Sequence, residues 1–413
     1  MRIAFVSSEY AGTTAGGGIG TYVRNAARML ATRGHAIEVF AGAERDQSFT
    51  ESWGVFVNFV GISERGEFAA RIAPVFLASH RRNPFDVIEG AEYQCETCGI
   101  SKVAPDAPLV LKLHTPSSLI HAIDYDQLPV MPKVRYFAGG LLRGHLSKPY
   151  WKYAPNTDNE SANCRKADEI TAPCQAIADL LAEKWAIPRS RITVVSNVFM
   201  APPALLSVPP CTSTSRITFI GRLEYRKGVT DLAEAIPLIL RRRPDSRFRL
   251  IGRSIRHPHT GEQLLDVLKQ RLANHQANVE FIGSVPYDEV PAYYADTDIC
   301  VFPSIWENFP NVCLEAMAAA RGVIGSSAGG MAEIIEHGRT GLLVPPRDPK
   351  AIASAILELL QNSERRIAMG RAAREHVTKA YAPEVIAPLQ EASYRRAIAN
   401  AAKRSERSEI VGT

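Results

Sequence analysis

No apolar run in the 413-residue chain approaches the roughly 20 residues needed to span a bilayer, so no membrane-crossing helix is expected. A Gly-x4-Gly-Lys-Ser/Thr phosphate loop is also missing, which argues against an NTPase of that type. The glycines of Gly16-Gly-Gly-Ile-Gly-Thr-Tyr do not follow Gly-x-Gly-x-x-Gly spacing, so a dinucleotide cofactor is not supported. Seven cysteines form no regular framework and no signal peptide precedes the first expected strand, so disulfides are not expected and a reducing cytoplasmic setting is. Cys95-Glu-Thr-Cys98 has neither a second pair nor nearby histidines, so the bland reading stands over zinc or redox chemistry. Excess charge is small: 48 basic against 43 acidic residues leave +5, too little to indicate nucleic acid and compatible with an anionic small molecule or an anionic surface.

The chain does have enough apolar residues, 46%, to bury two ordinary cores. Arg2 to Ser8 reads as a hydrophobic strand followed by the glycine cluster and a helical run through Leu30, the first βα turn of a Rossmann-like domain. Leu109-Val-Leu-Lys-Leu-His-Thr-Pro reads as a strand whose end is marked by Pro116, which places His114 where strand meets loop. Phe199 to Ser215 is rich in Pro, Ala, Ser and Thr and carries no charge, as expected of a linker. The expected organisation is therefore a domain over 1–198, a linker over 199–215 and a second domain from Arg216.

The most informative stretch is Pro303-Ser-Ile-Trp-Glu-Asn-Phe-Pro-Asn-Val-Cys-Leu-Glu-Ala-Met, in which seven residues separate Glu307 from Glu315. Asp298 to Phe302 before it reads as a buried strand and Val312 onward as a helix, so the motif is strand, loop, helix. In an open α/β sheet that loop lies at the carboxyl end of a strand, where ligands bind and the first helical N–H groups favour an anion. Glu307 would face such a guest, and Glu315, about two turns on, would reach a more distant neutral part such as sugar hydroxyls. Upstream, Ile217-Thr-Phe-Ile-Gly-Arg-Leu-Glu-Tyr-Arg-Lys-Gly-Val hands Arg222 and Lys227 to a loop, where a planar guanidinium and a mobile ammonium together suit a diphosphate. Asp296-Thr-Asp298 precedes its strand instead of following it, so capping is favoured there over metal binding; Asp124-Tyr-Asp126, in what reads as a Pro-rich loop, gets the same assignment.

The Glu-x7-Glu pair and the Arg222–Lys227 segment resemble the signature of glycosyltransferase family 4, retaining enzymes of the GT-B fold. The resemblance implies an α/β protein of two Rossmann-like domains facing each other across a cleft. It also implies that the second domain, 216–383, binds the nucleotide sugar, and that a final helix over 384–403 packs back on the first domain. In its terms Arg222 and Lys227 neutralise the diphosphate, assisted by amides near Phe309, Pro310 and Asn311; Glu307 holds donor-sugar hydroxyls and Glu315 the ribose. His114 matches a family histidine near the reacting sugar, and Gly17 and Gly18 match a Gly-Gly pair where a missing Cβ lets backbone approach substrate. Gly329 and Gly330 match a closing βα unit, in which they need only make turns. Two departures stand out: Ala320-Arg-Gly replaces a common Gly-x-Pro, and Arg253 stands where a small residue is common, close to where the base would lie.

The segment 117–153 has no firm family counterpart. It combines bases and aromatics, including Lys133, Arg135, Tyr136, Phe137, Arg143, His145, Lys148, Tyr150, Trp151, Lys152 and Tyr153, and is the candidate for selecting a glycan, phosphorylated or lipid-linked acceptor and for peripheral contact with a membrane. The expected function is transfer of a sugar from a nucleotide-diphosphate sugar, UDP first by family frequency, to a hydroxyl acceptor, without a metal or other cofactor, in the cytoplasm or at the inner face of the membrane. Two rivals remain: a catalytically silent sugar-nucleotide or glycan binder that keeps the fold, and a glycosidase, which would have no use for Arg222 and Lys227.

Overall fold

The structure, a computed structural model, describes residues 1–12, 17–126, 130–144, 158–256 and 261–411. The side chains of Lys133, Arg135 and Tyr136, and the whole of His145 to Tyr153, lie outside the described residues. The chain divides into two compact units, the first made of 1–117, 154–200 and 381–413 and the second of 118–153 and 201–380. The segment 118–153, expected in the first domain, thus groups with the second.

In the first unit the strands are β1 (Arg2–Ser7), β2 (Ala36–Ala43), β3 (Gln47–Thr50), β4 (Phe56–Gly61), β5 (Val87–Ala91), β6 (Leu109–Lys112), β7 (Glu169–Ala172) and β8 (Ile192–Val194). Among the described residues they form one sheet in the order β3-β4-β2-β1-β5-β6-β7-β8. All pairings are parallel except β3 on β4 at the edge. Central strands buried on both faces read as unbroken apolar runs, which is why Ile3-Ala-Phe-Val is fully inside. The helix Gly18–Thr32 starts from an extended Gly17 and buries Tyr22, Val23, Ala26, Ala27, Met29 and Leu30 on one face.

The second unit holds β9 (Arg216–Ile220), β10 (Arg247–Ile251), β11 (Val279–Gly283), β12 (Ile299–Phe302), β13 (Gly322–Ser326) and β14 (Leu342–Val344), all parallel, in the order β11-β10-β9-β12-β13-β14. Strand order reverses at β9, between β10 and β12, and such a switch point opens a crevice at the carboxyl ends of the strands. Both expected motifs leave the sheet there, the one on Arg222 and Lys227 after β9 and the one on Glu307 after β12.

The linker is structured. Its helix Pro203–Leu206 buries Leu205, and the second unit holds the chain that follows. Arg374 donates to the Val208 carbonyl at 2.6 Å and to that of Ala318 at 2.7 Å, while Arg366 donates to that of Thr212 at 2.8 Å. Arg321, at the variable position of the segment that departs from family habit, is 1% exposed and donates to the Pro209 and Thr297 carbonyls, the latter at 2.9 Å; Ala320, which stands where a glycine is common, takes a left-handed φ of 56°. Asp298 does cap, as expected, accepting from the backbone N–H groups of Thr214 at 3.0 Å and Ser215 at 2.9 Å. Asp124 and Asp126 sit on a helix, Ser117–Asp126, not in a loop.

The final helix, Pro383–Val411, belongs to the first unit and packs on β5, β6 and β7. Its anchor is a buried polar network. Tyr394 Oη donates to Glu89 Oε2 at 2.8 Å, and Gln390 Nε2 reaches Tyr22 Oη at 2.9 Å and the same carboxylate at 3.1 Å. Tyr22 Oη donates to Glu89 Oε1, and this docking geometry is favoured because any other leaves Oε2 of the buried carboxylate without its Tyr394 and Gln390 donors. Among the described residues no helix is long and apolar enough to cross a membrane.

Candidate functional site

In the second unit the loops after β9 and β12 are laced together. Ile305 N–H donates to the Arg226 carbonyl at 2.8 Å, and Arg226 Nη1 donates back to the Trp306 carbonyl at 3.0 Å. Glycines at the joints allow this closeness. Gly228 has φ +67°, and a Cβ on it would lie 1.9 Å from the Pro303 carbonyl oxygen. Gly252, after β10, would meet the Gly221 carbonyl at the same distance. Gly329 is no mere turn residue: a Cβ there would lie 2.1 Å from the Glu307 carbonyl oxygen, which also accepts from Gly330 N–H at 2.8 Å.

Glu307, 7% exposed, is the centre of this lattice. Its Oε1 accepts from Lys227 Nζ and from Ser304 Oγ at 3.3 Å and pairs with Arg226 Nη1 at 3.5 Å. None of these contacts falls on Oε2. Burial alone would push the carboxyl up, but Lys227 and Arg226 outweigh it and hold Glu307 below the usual carboxylate range. Arg226 also pairs with Glu224 at 2.7 Å, and Glu224 takes Arg222 at 3.3 Å. Lys227 is largely enclosed and Arg222 is exposed, so one cation is fixed and the other free to swing.

The helix Asn311–Ala318 follows, with Pro310 at its N-cap position and no side chain capping it. Pro310 has no N–H, so the donors near it at this terminus come from the residues around it. Phe309 is 9% exposed and walls the turn. Glu315 is buried on the same helix, where burial pushes its carboxyl up to about 7 against the opposing hydrogen bonds of Tyr287 and Tyr294. A folded-state value above the unfolded 4.5 means that the native state holds the proton longer. Stability from this group is therefore present in full below about pH 4.5 and declines as pH rises to about 7. Glu315→Gln removes that penalty of up to about 3 kcal/mol, so its melting temperature should exceed wild type at pH 8 and match it at pH 4.5. Equal differences at both pH values would contradict the assignment.

In the first unit, His114 follows β6. Its Nδ1 lies 2.9 Å from the Lys112 carbonyl and 3.2 Å from Glu92 Oε2, and its backbone N–H donates to the same carboxylate oxygen at 2.7 Å. A carbonyl can only accept, so Nδ1 carries a proton, and Nε2 is buried with no partner among the described residues. Gly17 is crowded by the Glu9 carboxylate, which a Cβ would meet at 2.4 Å, whereas a Cβ on Gly18 would enter open space; the backbone-crowded position is Gly20.

The structure thus joins Arg222, Lys227, Glu307, Phe309, Pro310, Asn311 and Glu315 on one crevice edge, and sets His114, Gly17 and Gly18 in the other unit. Sequence reasoning missed Arg226, Gly228, Gly329 and Asn308, whose buried Nδ2 has no partner among the described residues while its Oδ1 takes Trp306 Nε1 at 2.7 Å. The signal for Arg226 was its place beside Lys227; for the glycines and Asn308 it lies only in tertiary contacts. Among the described residues no cluster of His, Cys, Asp and Glu could hold a metal, and no two of the seven cysteines are joined in a disulfide.

Residues 16–199 match the family described as Glycosyltransferase Family 4, and residues 214–362 match Glycosyl transferases group 1. The chain is 26% identical over 426 residues to a glycogen synthase of Mycobacterium tuberculosis, covering 98% of this chain and 96% of that one. It is 26% identical over 432 residues to a D-inositol 3-phosphate glycosyltransferase of Corynebacterium urealyticum, covering 92% of each. In fold it is similar to sucrose-phosphate synthase from Thermosynechococcus elongatus, with a TM-score of 0.72 and 21% identity over 97% of this chain and 100% of that one.

Proposed function

Because the chain belongs to glycosyltransferase family 4 and is a transferase of the GT-B fold, we propose that it moves a sugar from UDP to a hydroxyl acceptor with retention of configuration and without a metal. The observation that carries this reading is the Arg222, Arg226, Lys227 and Glu307 cluster at the carboxyl ends of β9 and β12. A diphosphate leaving group gains negative charge as the glycosidic C1–O bond breaks. Lys227, fixed by Glu307, and mobile Arg222 answer that charge with little reorganisation. Two cations also supply what a divalent metal would, which is why none is invoked. Oε2 of Glu307 is left to accept donor-sugar hydroxyls, and Glu315 the ribose hydroxyls.

Retention fits a front-face course in which the acceptor oxygen bonds to C1 on the side the diphosphate leaves, its proton passing to a departing phosphate oxygen. No protein nucleophile is needed. In the first unit, Nε2 of His114 is assigned to a substrate hydroxyl and the Gly17–Gly18 turn to substrate approach. The glucan and inositol-phosphate acceptors in the relatives' names are the first to try. Acceptor delivery at a membrane is supported by the helix Val130–Leu142, where Val130, Val134, Phe137 and Leu141 recur at helical spacing and are exposed, Val130 by 73% and Leu141 by 70%.

Calorimetric titration with UDP, GDP and ADP, with and without magnesium, tests the donor site, and transfer assays with free or vesicle-borne acceptor extend it. Binding should favour UDP, ignore magnesium and weaken at least about tenfold in Arg222→Ala, whose exposed side chain the fold does not need. Preference for another base, or a magnesium requirement, would overturn that part of the reading. Absence of all binding would favour a silent glycan binder or an enzyme that must take its acceptor first.

A further inference from the structure

A concavity of about 780 Å³ lies wholly within the first unit, at the edge of the sheet opposite His114. Leu109, which begins β6, and Asp168 and Arg191, which precede β7 and β8, line it, so it opens at the amino ends of the strands. His114 follows the carboxyl end of β6, on the order of 15 Å away at the rise of an extended chain. The cavity therefore plays no part in the chemistry assigned above.

Its make-up is two-layered. The floor is apolar and solid: Ile88 is 2% exposed, Ile100 1% and Leu109 8%. The rim carries Arg165, Lys166, Arg191, Lys403 and Arg404 against Asp168. Three of these cations already serve the frame. Arg165 donates to the Trp185 carbonyl, Arg191 to that of Ala167 at 2.8 Å, and Arg404 to that of Pro105 at 2.8 Å while pairing with Asp168 at 3.2 Å. Asp168 is further occupied by the Leu109 N–H at 3.0 Å. Lys166 and Lys403 make no ion pair among the described residues, and both are exposed. One carboxylate, already shared between a guanidinium and an amide, leaves a strong positive excess over an apolar floor.

A solvated basic face needs no apolar concavity beneath it, and an apolar pocket needs no ring of cations. The combination suits a molecule with both parts. We propose that this cavity is a second ligand site, separate from the donor crevice, which takes a small phosphorylated compound with a flat apolar body. The body would rest on Ile88, Ile100 and Leu109, and the phosphate would meet Lys166 and Lys403. Because Lys403 rides on the final helix and Lys166 on the helix Asn159–Lys166, a bound anion would tie that helix more firmly to the sheet.

The probe is 1-naphthyl phosphate, with 1-naphthol and inorganic phosphate as its separate halves, titrated into the full chain. It should bind at one site, at least tenfold tighter than either half. The doubly substituted Lys166→Ala, Lys403→Ala protein should lose at least tenfold in affinity while keeping transferase activity, and Arg222→Ala should leave naphthyl phosphate affinity unchanged. No binding to wild type, an unchanged affinity in the double variant, or loss in Arg222→Ala would each overturn the proposal. The last of these would place the probe in the donor crevice, and a failure of the donor reading alone would leave the lysine-dependent binding intact.

Discussion

Lys227→Ala should lower kcat/KM by about 10³-fold, on the order of 4 kcal/mol of transition-state stabilisation, with the protein still folded. The ammonium sits against Glu307 Oε1 in an enclosed site. Its charge is thus held where solvent screens it little, and charge developing on a diphosphate would feel it strongly. Removing it also leaves Glu307 with a weaker set of partners, Arg226 at 3.5 Å and Ser304 at 3.3 Å. The carboxyl should then titrate nearer the ordinary range, and the pH profile of residual activity should shift up on its acid side. Steady-state kinetics alongside a melting curve separate the two contributions. Unchanged turnover would remove Lys227 from the diphosphate assignment.

Gly228→Ala should be a severely damaging small substitution. Its left-handed φ of +67° costs a Cβ about 1–2 kcal/mol, and the clash at 1.9 Å with the Pro303 carbonyl adds an overpacking cost of about 1–3 kcal/mol. At about 2–4 °C per kcal/mol for a unit of this size, melting should fall by roughly 10 °C. Activity should fall with it, because the loops that carry Lys227 and Glu307 must part to admit the methyl. Gly283→Ala supplies the control: its φ is +80° but no atom lies within 4 Å of the new Cβ, so only the conformational cost applies. Calorimetry of the pair measures the contact itself, and equal losses in both would deny that the loops are packed this tightly.

Why some of this was legible in the sequence and some was not follows from the range of the forces involved. β1, β6, β9 and β12 were visible because a strand buried on both faces must be apolar along its length, a local property. The helix after Pro310 was visible from its Ala, Leu and Met content, and Arg222, Lys227, Glu307 and Glu315 from the company they keep in their motifs. Arg226 was not singled out beside Lys227, because its role as a buried bracket depends on the Trp306 carbonyl, 80 residues further along the chain. Gly329 looked like a turn because nothing local shows Glu307 beside it. The linker looked loose because its residues carry no charge, whereas its partners, Arg321, Arg366 and Arg374, supply all the charge from the other side. Asp124 and Asp126 were assigned to a loop on nearby prolines, but the helix there runs through Asp126.

The return of the final helix has a consequence for how the protein is made. The first unit is assembled from three stretches of chain, and the last of them begins only at Tyr381. During synthesis at about 5–20 residues per second, the remaining 213 residues after Met200 take roughly 10–40 seconds to appear. Through that interval the N-terminal sheet stands without Gln390 and Tyr394, so the Glu89 carboxylate keeps Tyr22 but lacks the two donors that the final helix provides. The second unit is complete sooner, because both of its stretches, 118–153 and 201–380, have been translated once Ala380 is in place. The half that emerges from the ribosome first is therefore the half that matures last, and its exposed strands are the surface a holding chaperone would meet.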